Sequence, residues 1–274
     1  MSFILEDFST TSLAAANKSN LLAWYQYLGR SSRADLYESP EMSWVLTGLT
    51  HSFLNAVLWT QLNPVNADQR IAETLADFRS KNVHQLSWYT GLVTQPADMG
   101  ELLVAHGLTY SEGAPGMAVD LLALKEDLVR PAGLTIQAVA DMPALDDWAH
   151  TGFTPLGGLE TEQEACGRLF ASLGFELPLR NYVGRLNGKL VATSQLFIGA
   201  AVAGIYWVAT VPEARGQGIG AAMTLAPLYD ARALGYRIAI LQATQMGEGV
   251  YRRLGFKEYC RINHYVFAGE MSGA

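Results

Sequence analysis

The stretch that decides the fold is VATVPEARGQGIGAAM, residues 208–223. An apolar run ends at Pro212, and glycines then occupy the alternate positions Gly216, Gly218 and Gly220 before apolar residues resume. One glycine is enough for a tight turn, so three of them indicate that the backbone itself must stay accessible. The patterns on either side predict a strand before this stretch and a helix after it.

The predicted start of that helix is a candidate anion-binding site. The first turn of a helix leaves backbone amides without partners and carries the positive end of the helix dipole. Glycines at 216, 218 and 220 remove the Cβ atoms that would hold a phosphate away from those amides, and Arg215 adds a positive charge at the edge. The stretch therefore predicts that a phosphate-bearing ligand binds at a strand-to-helix turn.

Three classes of ligand bind phosphate in this way. A Walker-type nucleotide loop requires Gly-Lys followed by Ser or Thr, and the sequence contains no such triplet. The spacing Gly216-x-Gly218-x-x-Ala221 satisfies the dinucleotide pattern, but the acidic residue expected about 20 residues later is absent from IAILQAT, 238–244. A nicotinamide enzyme is therefore a minor alternative, and the third class is the pyrophosphate of coenzyme A.

Composition and charge exclude several classes of protein. The chain has 274 residues, of which 50% are hydrophobic and 16% charged, so it is not a disordered protein. A net charge of −7 argues against a nucleic-acid partner. No apolar run reaches the roughly 18 residues of a membrane span, and 1–8 does not resemble a signal peptide, so a cytoplasmic protein is expected. Cys166 and Cys260 form no CxxC pair and are expected to be reduced thiols, with no metal site.

The charged segment LKEDLVRPAGLT, 124–135, predicts a linker, which places one domain at 1–130 and a second at 131–274. In the second domain, Asn187-Gly188 predicts a two-residue hairpin turn, because both positions of such a turn need positive φ. Pro227 is expected to remove a hydrogen bond inside a helix and bend it. The predicted order is a strand at 134–139, helices at 143–151 and 162–173, three antiparallel strands, a helix at 219–234, a strand at 237–244, a helix at 250–254 and a last strand at 259–268.

The first half reads as a degenerate copy of this order. The segments AHGLTY, 105–110, and RLGFKEY, 253–259, occupy matching places in the two halves. The predicted elements are a helix at 12–28, strands at 43–47, 53–62 and 84–90, helices at 68–80 and 98–105, and a closing strand at 117–124. The junction that corresponds to the glycine stretch reads QLNPVNADQRIAE, 61–73, without glycine, so this half is expected to bind no phosphate ligand.

The glycine stretch resembles a known motif. Arg-Gly-Gln-Gly-Ile-Gly, 215–220, is similar to the Arg/Gln-x-x-Gly-x-Gly/Ala motif of the GNAT superfamily of N-acetyltransferases, and VATVPEA, 208–214, resembles the strand before it. GVYRRLGFKEY, 249–259, resembles the family's second signature. The resemblance implies an α/β fold of the α+β mixed-sheet kind: two GNAT-like domains in tandem, each a mostly antiparallel sheet with a splayed parallel pair and flanking helices, the first of them degenerate.

The resemblance also implies the ligand and the residues that hold it. Acetyl-CoA is the expected co-substrate, with its pantetheine arm between strands at 205–211 and 237–244. Thr244 stands where the family often has asparagine, and Tyr251 matches the general acid that protonates the thiolate. The expected coenzyme-binding residues are Ala209, Val211, Arg215, Gly216, Gln217, Gly218, Ile219, Gly220, Ala221 and Thr244.

The sequence leaves the base and the acceptor open. No acidic residue stands on the strand at 237–244, while Asp146, Asp147 and His150 lie on the helix near which the family binds acceptors. Glu213, beside the glycines, is expected to be a solvated charge. The expected acceptor is a primary amine of a small molecule or a peptide. The alternative is an acyl-CoA-binding regulatory or scaffold protein with little turnover. Six tryptophans and the low charge fraction leave room for a homodimer.

Overall fold

The structure, a computed structural model, describes residues 4–91, 94–125 and 130–268. The chain groups into two compact units. The glycine-loop unit contains the chain up to Trp24 and Ala114–Arg261, and the second unit contains Tyr25–Gly113 and the chain from Ile262 onward. Each unit therefore takes pieces from both halves of the sequence. The predicted division of the chain into domains at 1–130 and 131–274 stays a prediction. The predicted linker, 124–135, lies partly outside the described residues.

The helices and strands follow one another in this order: α1 (Thr10–Leu28), β1 (Asp35–Glu38), β2 (Met42–Leu46), β3 (Ala56–Thr60), α2 (Ala67–Ser80), β4 (Gln85–Tyr89), α3 (Met99–Ala105), β5 (Thr109–Asp120), β6 (Leu134–Ala138), α4 (Met142–Gly152), α5 (Gln163–Ala171), β7 (Leu179–Leu186), β8 (Lys189–Gly199), β9 (Val202–Thr210), α6 (Ile219–Ala233), β10 (Ile238–Gln242), α7 (Glu248–Leu254) and β11 (Lys257–Ala268). Among these described elements, no helix has both the length and the apolar character that crossing a membrane requires.

In the glycine-loop unit the strands lie in the order β6–β7–β8–β9–β10–β5. The neighbours are antiparallel except for β9 and β10, which are parallel and joined by the crossover helix α6. Side chains of β10 alternate between two cores: Ala239 and Leu241 pack with α6 and α7, whereas Ile238 and Ile240 pack with α1. Strand β10 is thus covered on both faces, as its continuous apolar sequence requires.

The turns of this unit are where the residue types require them. Asn187 (φ +51°) and Gly188 (φ +84°) form the predicted hairpin turn between β7 and β8. Ala200 and Ala201 also have positive φ, in the turn between β8 and β9. The helix α6 continues through Pro227 to Ala233.

The second unit has the strand order β1–β2–β3–β4–β11 and repeats the parallel pair, here β3 and β4 joined by α2. The mixed sheets and flanking helices confirm the predicted fold class. The expected closing strand at 117–124 was wrong in its bounds, since β5 spans Thr109–Asp120. Gly113, Pro115 and Gly116 break the strand pattern in the sequence. Strand β1 was not predicted because all four of its residues are exposed, which leaves no alternation.

Candidate functional site

The central feature of the glycine-loop unit is a gap between its two parallel strands. The Cα register pairs Ala203 with Ala239 and Gly204 with Ile240, and no further pairing joins these strands within the described residues. Strand β9 nevertheless continues to Thr210 alongside β8, and β10 continues to Gln242 alongside β5. The two strands therefore separate after Gly204, and each leaves one edge unpaired. Such an edge offers amides and carbonyls to an extended ligand.

A β-bulge lies inside the separated part of β9. The register against β8 shifts between Thr193 and Gln195, and Trp207 has a φ of +52°, which is unusual for a bulky residue. The Thr193 hydroxyl donates to the Trp207 carbonyl at 2.9 Å. The indole packs against Trp148 and Phe170, with ring centroids at 5.0 and 5.4 Å. These contacts hold the backbone in a strained conformation beside the gap. This bulge could not be predicted from the sequence, because tryptophan is common in regular strands.

The direction of the peptide groups along β9 identifies which residues face the gap. The amide of Val211 donates to the carbonyl of Val191 on β8 at 2.9 Å. Since peptide groups alternate along a strand, Ala209 also points toward β8, while Val208 and Thr210 point toward the gap. The sequence reasoning named Ala209 and Val211 for main-chain contacts to the arm. In this geometry the main-chain groups that face the gap are those of Val208 and Thr210, whereas those of Ala209 and Val211 face β8.

The predicted glycine loop follows β9 directly. Gly216 (φ +78°) and Gly218 (φ +81°) both have left-handed backbone, and Gly218 is the residue before the first turn of α6. A Cβ at Gly216 would meet no atom within 4 Å, so the space beside this backbone is open. Ile219 and Ala221 bury their side chains in the core, which leaves only their main chain for a ligand. The loop is thus exposed backbone at the start of a helix, a place where main-chain amides can bind an anionic group.

Arg215 is anchored beside this loop. Its Nε donates to the Thr210 carbonyl at 3.1 Å, and the side chain is exposed. Gln217 is exposed as well. Glu213 pairs with Lys189 at 3.7 Å on an exposed surface, in agreement with the expected solvated charge. The cation at the edge of the loop is therefore Arg215.

Tyr251 lies on α7 and is 8% exposed. Its ring contacts Phe256 at a centroid distance of 6.0 Å, and it shares a core with Ile219 and Leu241. Burial raises the pKa of the Tyr251 hydroxyl to about 12. A phenol in this environment keeps its proton at neutral pH and has one proton to give, which is what a general acid requires.

Thr244 and Gly247 form the turn that carries Tyr251. The Thr244 hydroxyl accepts a hydrogen bond from the Gly247 amide at 3.2 Å, and its carbonyl accepts from the Glu248 amide at 3.0 Å. A Cβ at Gly247 would lie 2.8 Å from Cε2 of Tyr251, so only glycine leaves this ring in place. Thr244 is exposed, and its hydroxyl hydrogen can still be donated.

The three candidate bases on α4 have different surroundings. Asp147 pairs with Arg185, whereas Asp146 and His150 are exposed. None of the three side chains is buried. In the described residues, no group of three or more His, Cys, Asp or Glu side chains is placed to hold a metal ion.

Comparison with known proteins agrees with this geometry. Residues 179–258, which contain the gap, the glycine loop and Tyr251, match the family model of the acetyltransferase (GNAT) domain. No curated protein has a significant sequence match to the chain.

Solved structures resemble the whole chain in fold. A GCN5-related N-acetyltransferase from Kribbella flavida aligns with a TM-score of 0.69 at 20% identity, covering 93% of this chain and 96% of the other. A tandem GNAT protein from the clavulanic acid biosynthesis pathway aligns with a TM-score of 0.57 at 16% identity, covering 98% of each chain. A conserved protein of unknown function from Staphylococcus epidermidis gives 0.63 at 17% identity, covering 85% and 93%. At such identities the likeness establishes the fold, which is that of a tandem GNAT protein.

Proposed function

We propose that this GNAT protein is an N-acyltransferase, which moves an acetyl group from acetyl-CoA to a primary amine of a small molecule or a peptide. One observation carries the proposal: β9 leaves β10 after Gly204 and runs, with one edge unpaired, straight into the exposed backbone of the glycine loop. An extended arm that ends in a diphosphate would lie along this edge with its diphosphate at the loop.

The main chain supplies most of the contacts to the coenzyme. The unpaired edge of β9 binds the pantetheine arm through the main chain of Val208 and Thr210, which face the gap. Ala209 and Val211, whose main-chain groups face β8, lie beside the arm. Thr244 donates a hydrogen bond to it. The amides at the start of α6 bind the pyrophosphate, and Arg215 adds its charge. The phosphate-binding residues in this proposal are Arg215, Gly216, Gln217, Gly218, Ile219, Gly220 and Ala221.

The chemistry needs an acid near the sulfur of the thioester. The amine attacks the carbonyl carbon directly, so that a C–N bond forms and the C–S bond breaks. Tyr251 donates its proton to the departing sulfur, and the amine loses one proton to solvent. A bound thioester supplies the activated acyl group. The raised pKa of Tyr251 suits this step, because the phenol is fully protonated at neutral pH.

A second candidate is an acyl-CoA-binding regulatory or scaffold protein with little turnover. It is favoured by the absence of any carboxylate from the separated segment of β9, Ile205–Thr210, and from β10, Ile238–Gln242. A base that takes the proton of an ammonium group would stand on one of these strands or near them.

The two candidates are distinguished by Tyr251→Phe. Release of free CoA from acetyl-CoA is measured over a panel of amines, together with acetyl-CoA binding by calorimetry. If the protein is an acyltransferase, we expect the variant to have a kcat at least about tenfold lower, while its Kd for acetyl-CoA stays within about threefold of the parental value. Tyr236→Phe is the matched control, because Tyr236 packs against the same core but lies outside the proposed site. If the parent protein releases no CoA with any amine, the acyltransferase proposal is contradicted and the acyl-CoA-binding protein is favoured.

The second unit is proposed to bind no coenzyme. At the start of α2 the amide of Val65 donates to the Asn63 side chain at 3.0 Å, and the amide of Asn66 donates to the Asn63 carbonyl at 3.1 Å. Pro64 has no amide hydrogen. Two of the amides before α2 are thus already used, Pro64 has none, and side chains stand where the other loop has glycines, so one acetyl-CoA per chain is expected.

A further inference from the structure

Helix α1 lies across the sheet at the place where β9 and β10 separate. Two asparagines one turn apart, Asn17 and Asn20, point into the sheet and are fully buried. A buried amide side chain is stable only when its donors and acceptor are paired. The partners of these two residues show what they hold.

Asn17 binds the β10 side of the gap. Its Nδ2 donates to the carbonyls of Met117 and Leu241 at 3.0 and 3.3 Å. Its Oδ1 accepts from Nε2 of Gln242 at 2.7 Å. Leu241 and Gln242 follow Ile240, the last residue of β10 that pairs with β9. Asn17 therefore binds β10 within the separated segment.

Asn20 binds the β9 side. Its Nδ2 donates to the Gly199 carbonyl at 2.8 Å, and its Oδ1 accepts from the hydroxyl of Tyr206 at 2.8 Å. Tyr206 stacks on Trp24 at a centroid distance of 5.3 Å. A Cβ at Gly204 would overlap Asn20 and would lie 2.6 Å from Cε2 of Tyr206. These two side chains therefore fill the space at the residue where the gap begins.

The length of the gap can be compared with that of the coenzyme arm. The separated segment Ile205–Thr210 is about 20 Å long at the rise of an extended strand. The pantetheine arm from its phosphate oxygen to its sulfur has the chain length of roughly four extended residues, or about 15 Å. An arm with its phosphate oxygen level with Thr210 would therefore span most of the gap, and the acyl group on its sulfur would lie toward the closed end.

We propose that Asn20 and Tyr206 form the closed end of this gap and restrict the acyl donor to acetyl, or at most propionyl, thioesters. This inference rests on the proposed function of the same site. It assigns a role in donor selectivity to a helix that precedes the matched GNAT domain by more than 150 residues of chain. A longer acyl group would have to displace the ring of Tyr206 or the amide of Asn20, both of which are held by hydrogen bonds.

The test is calorimetric binding of acetyl-, butyryl- and hexanoyl-CoA, which needs no knowledge of the amine. The parent protein is expected to bind hexanoyl-CoA at least about tenfold more weakly than acetyl-CoA, the penalty of forcing atoms into a packed site. Tyr206→Ala is expected to reduce this difference to less than about threefold. Tyr206→Phe retains the ring and is the matched control, so it keeps the parental difference.

A second variant protects the test against misfolding. Tyr206→Leu shortens the side chain but keeps apolar contact with Trp24, and it is expected to admit butyryl-CoA as well as acetyl-CoA. Equal affinities of the parent for the acetyl and hexanoyl thioesters would overturn the inference and leave the proposed function standing. A folded Tyr206→Leu variant with the parental difference would also overturn it. Failure of the parent to bind any acyl-CoA would overturn the proposed function itself.

Discussion

Two glycines of the loop, two residues apart, are expected to respond in opposite directions to the same substitution. Gly218 has a φ of +81° and stands just before α6, whereas Gly220 lies inside the first turn of that helix with ordinary backbone. Alanine at position 218 must adopt a left-handed conformation. Alanine at position 220 replaces a poor helix former by the best one.

The magnitudes follow from the backbone. A left-handed alanine costs roughly 1–2 kcal/mol in the folded state, and the loss of glycine freedom in the unfolded state returns about 0.4–1 kcal/mol. Gly218→Ala should therefore lower the free energy of unfolding by about 0.5–1 kcal/mol. A Cβ at Gly220 would lie 3.8 Å from Oγ1 of Thr210, an ordinary contact. Gly220→Ala should thus raise the free energy of unfolding by up to about 1 kcal/mol.

The assay combines urea unfolding with calorimetric binding of acetyl-CoA. Gly218→Val adds a branched side chain where the amides are exposed, and it is expected to weaken acetyl-CoA binding at least about tenfold. Gly220→Ala is the control and should keep the Kd within about threefold: its methyl group would lie beside Thr210, so the site uses the amide of residue 220 and does not need glycine there, contrary to the expectation from the glycine pattern.

Two results would refute this reasoning. If folded Gly218→Val binds acetyl-CoA at parental strength, the amides of this loop do not hold the diphosphate. If both alanine variants change stability in the same direction by the same amount, backbone conformation at 218 is not what glycine provides there.

The remaining predictions concern Tyr251 and the number of sites. Gly247→Ala should displace the Tyr251 ring, since its Cβ would lie 2.8 Å from Cε2. It should therefore lower kcat about tenfold with Kd nearly unchanged. Steady-state kinetics with parallel calorimetry would show a change in Kd alone if the Tyr251 ring takes no part in catalysis. The pKa of Tyr251 rises from 10.0 to about 12 on folding, so its contribution to stability is complete below pH 10 and is lost as pH rises through 12. Tyr251→Phe should therefore lose less stability than the parent between pH 10 and 12. Urea unfolding at several alkaline pH values would contradict this if the free energy of unfolding fell equally with pH in both proteins. Calorimetry should give one acetyl-CoA per chain, and two equivalent sites would show that the Asn63 turn does not exclude the coenzyme.

Local residue chemistry was enough to predict much of the site. The glycine loop, the Asn187-Gly188 turn and the short helix with Tyr251 each depend on a few neighbouring residues, whose φ preferences and spacing are written in the sequence. The parallel pair and its crossover helix followed from the order of elements and from the resemblance to GNAT proteins. The proposed phosphate loop and the proposed acid, Tyr251, therefore come from the sequence alone.

The sequence by itself thus determined the local conformation and the residue types of each short segment. Only the tertiary structure decided where β9 leaves β10, that Trp207 bulges beside the gap, and that Asn17 and Asn20 bind there. It also decided that the end of β5 pairs with β10 while the end of β11 pairs with β4, so that each unit takes a strand from the other half of the chain. The hydrogen bonds of Asn17 and Asn20 and the pairings of β5 and β11 join residues that are 100 or more positions apart, and the Trp207 bulge depends on residues as far away as Trp148. Such contacts are selected by the packing of the whole unit, and no local pattern of residues encodes them.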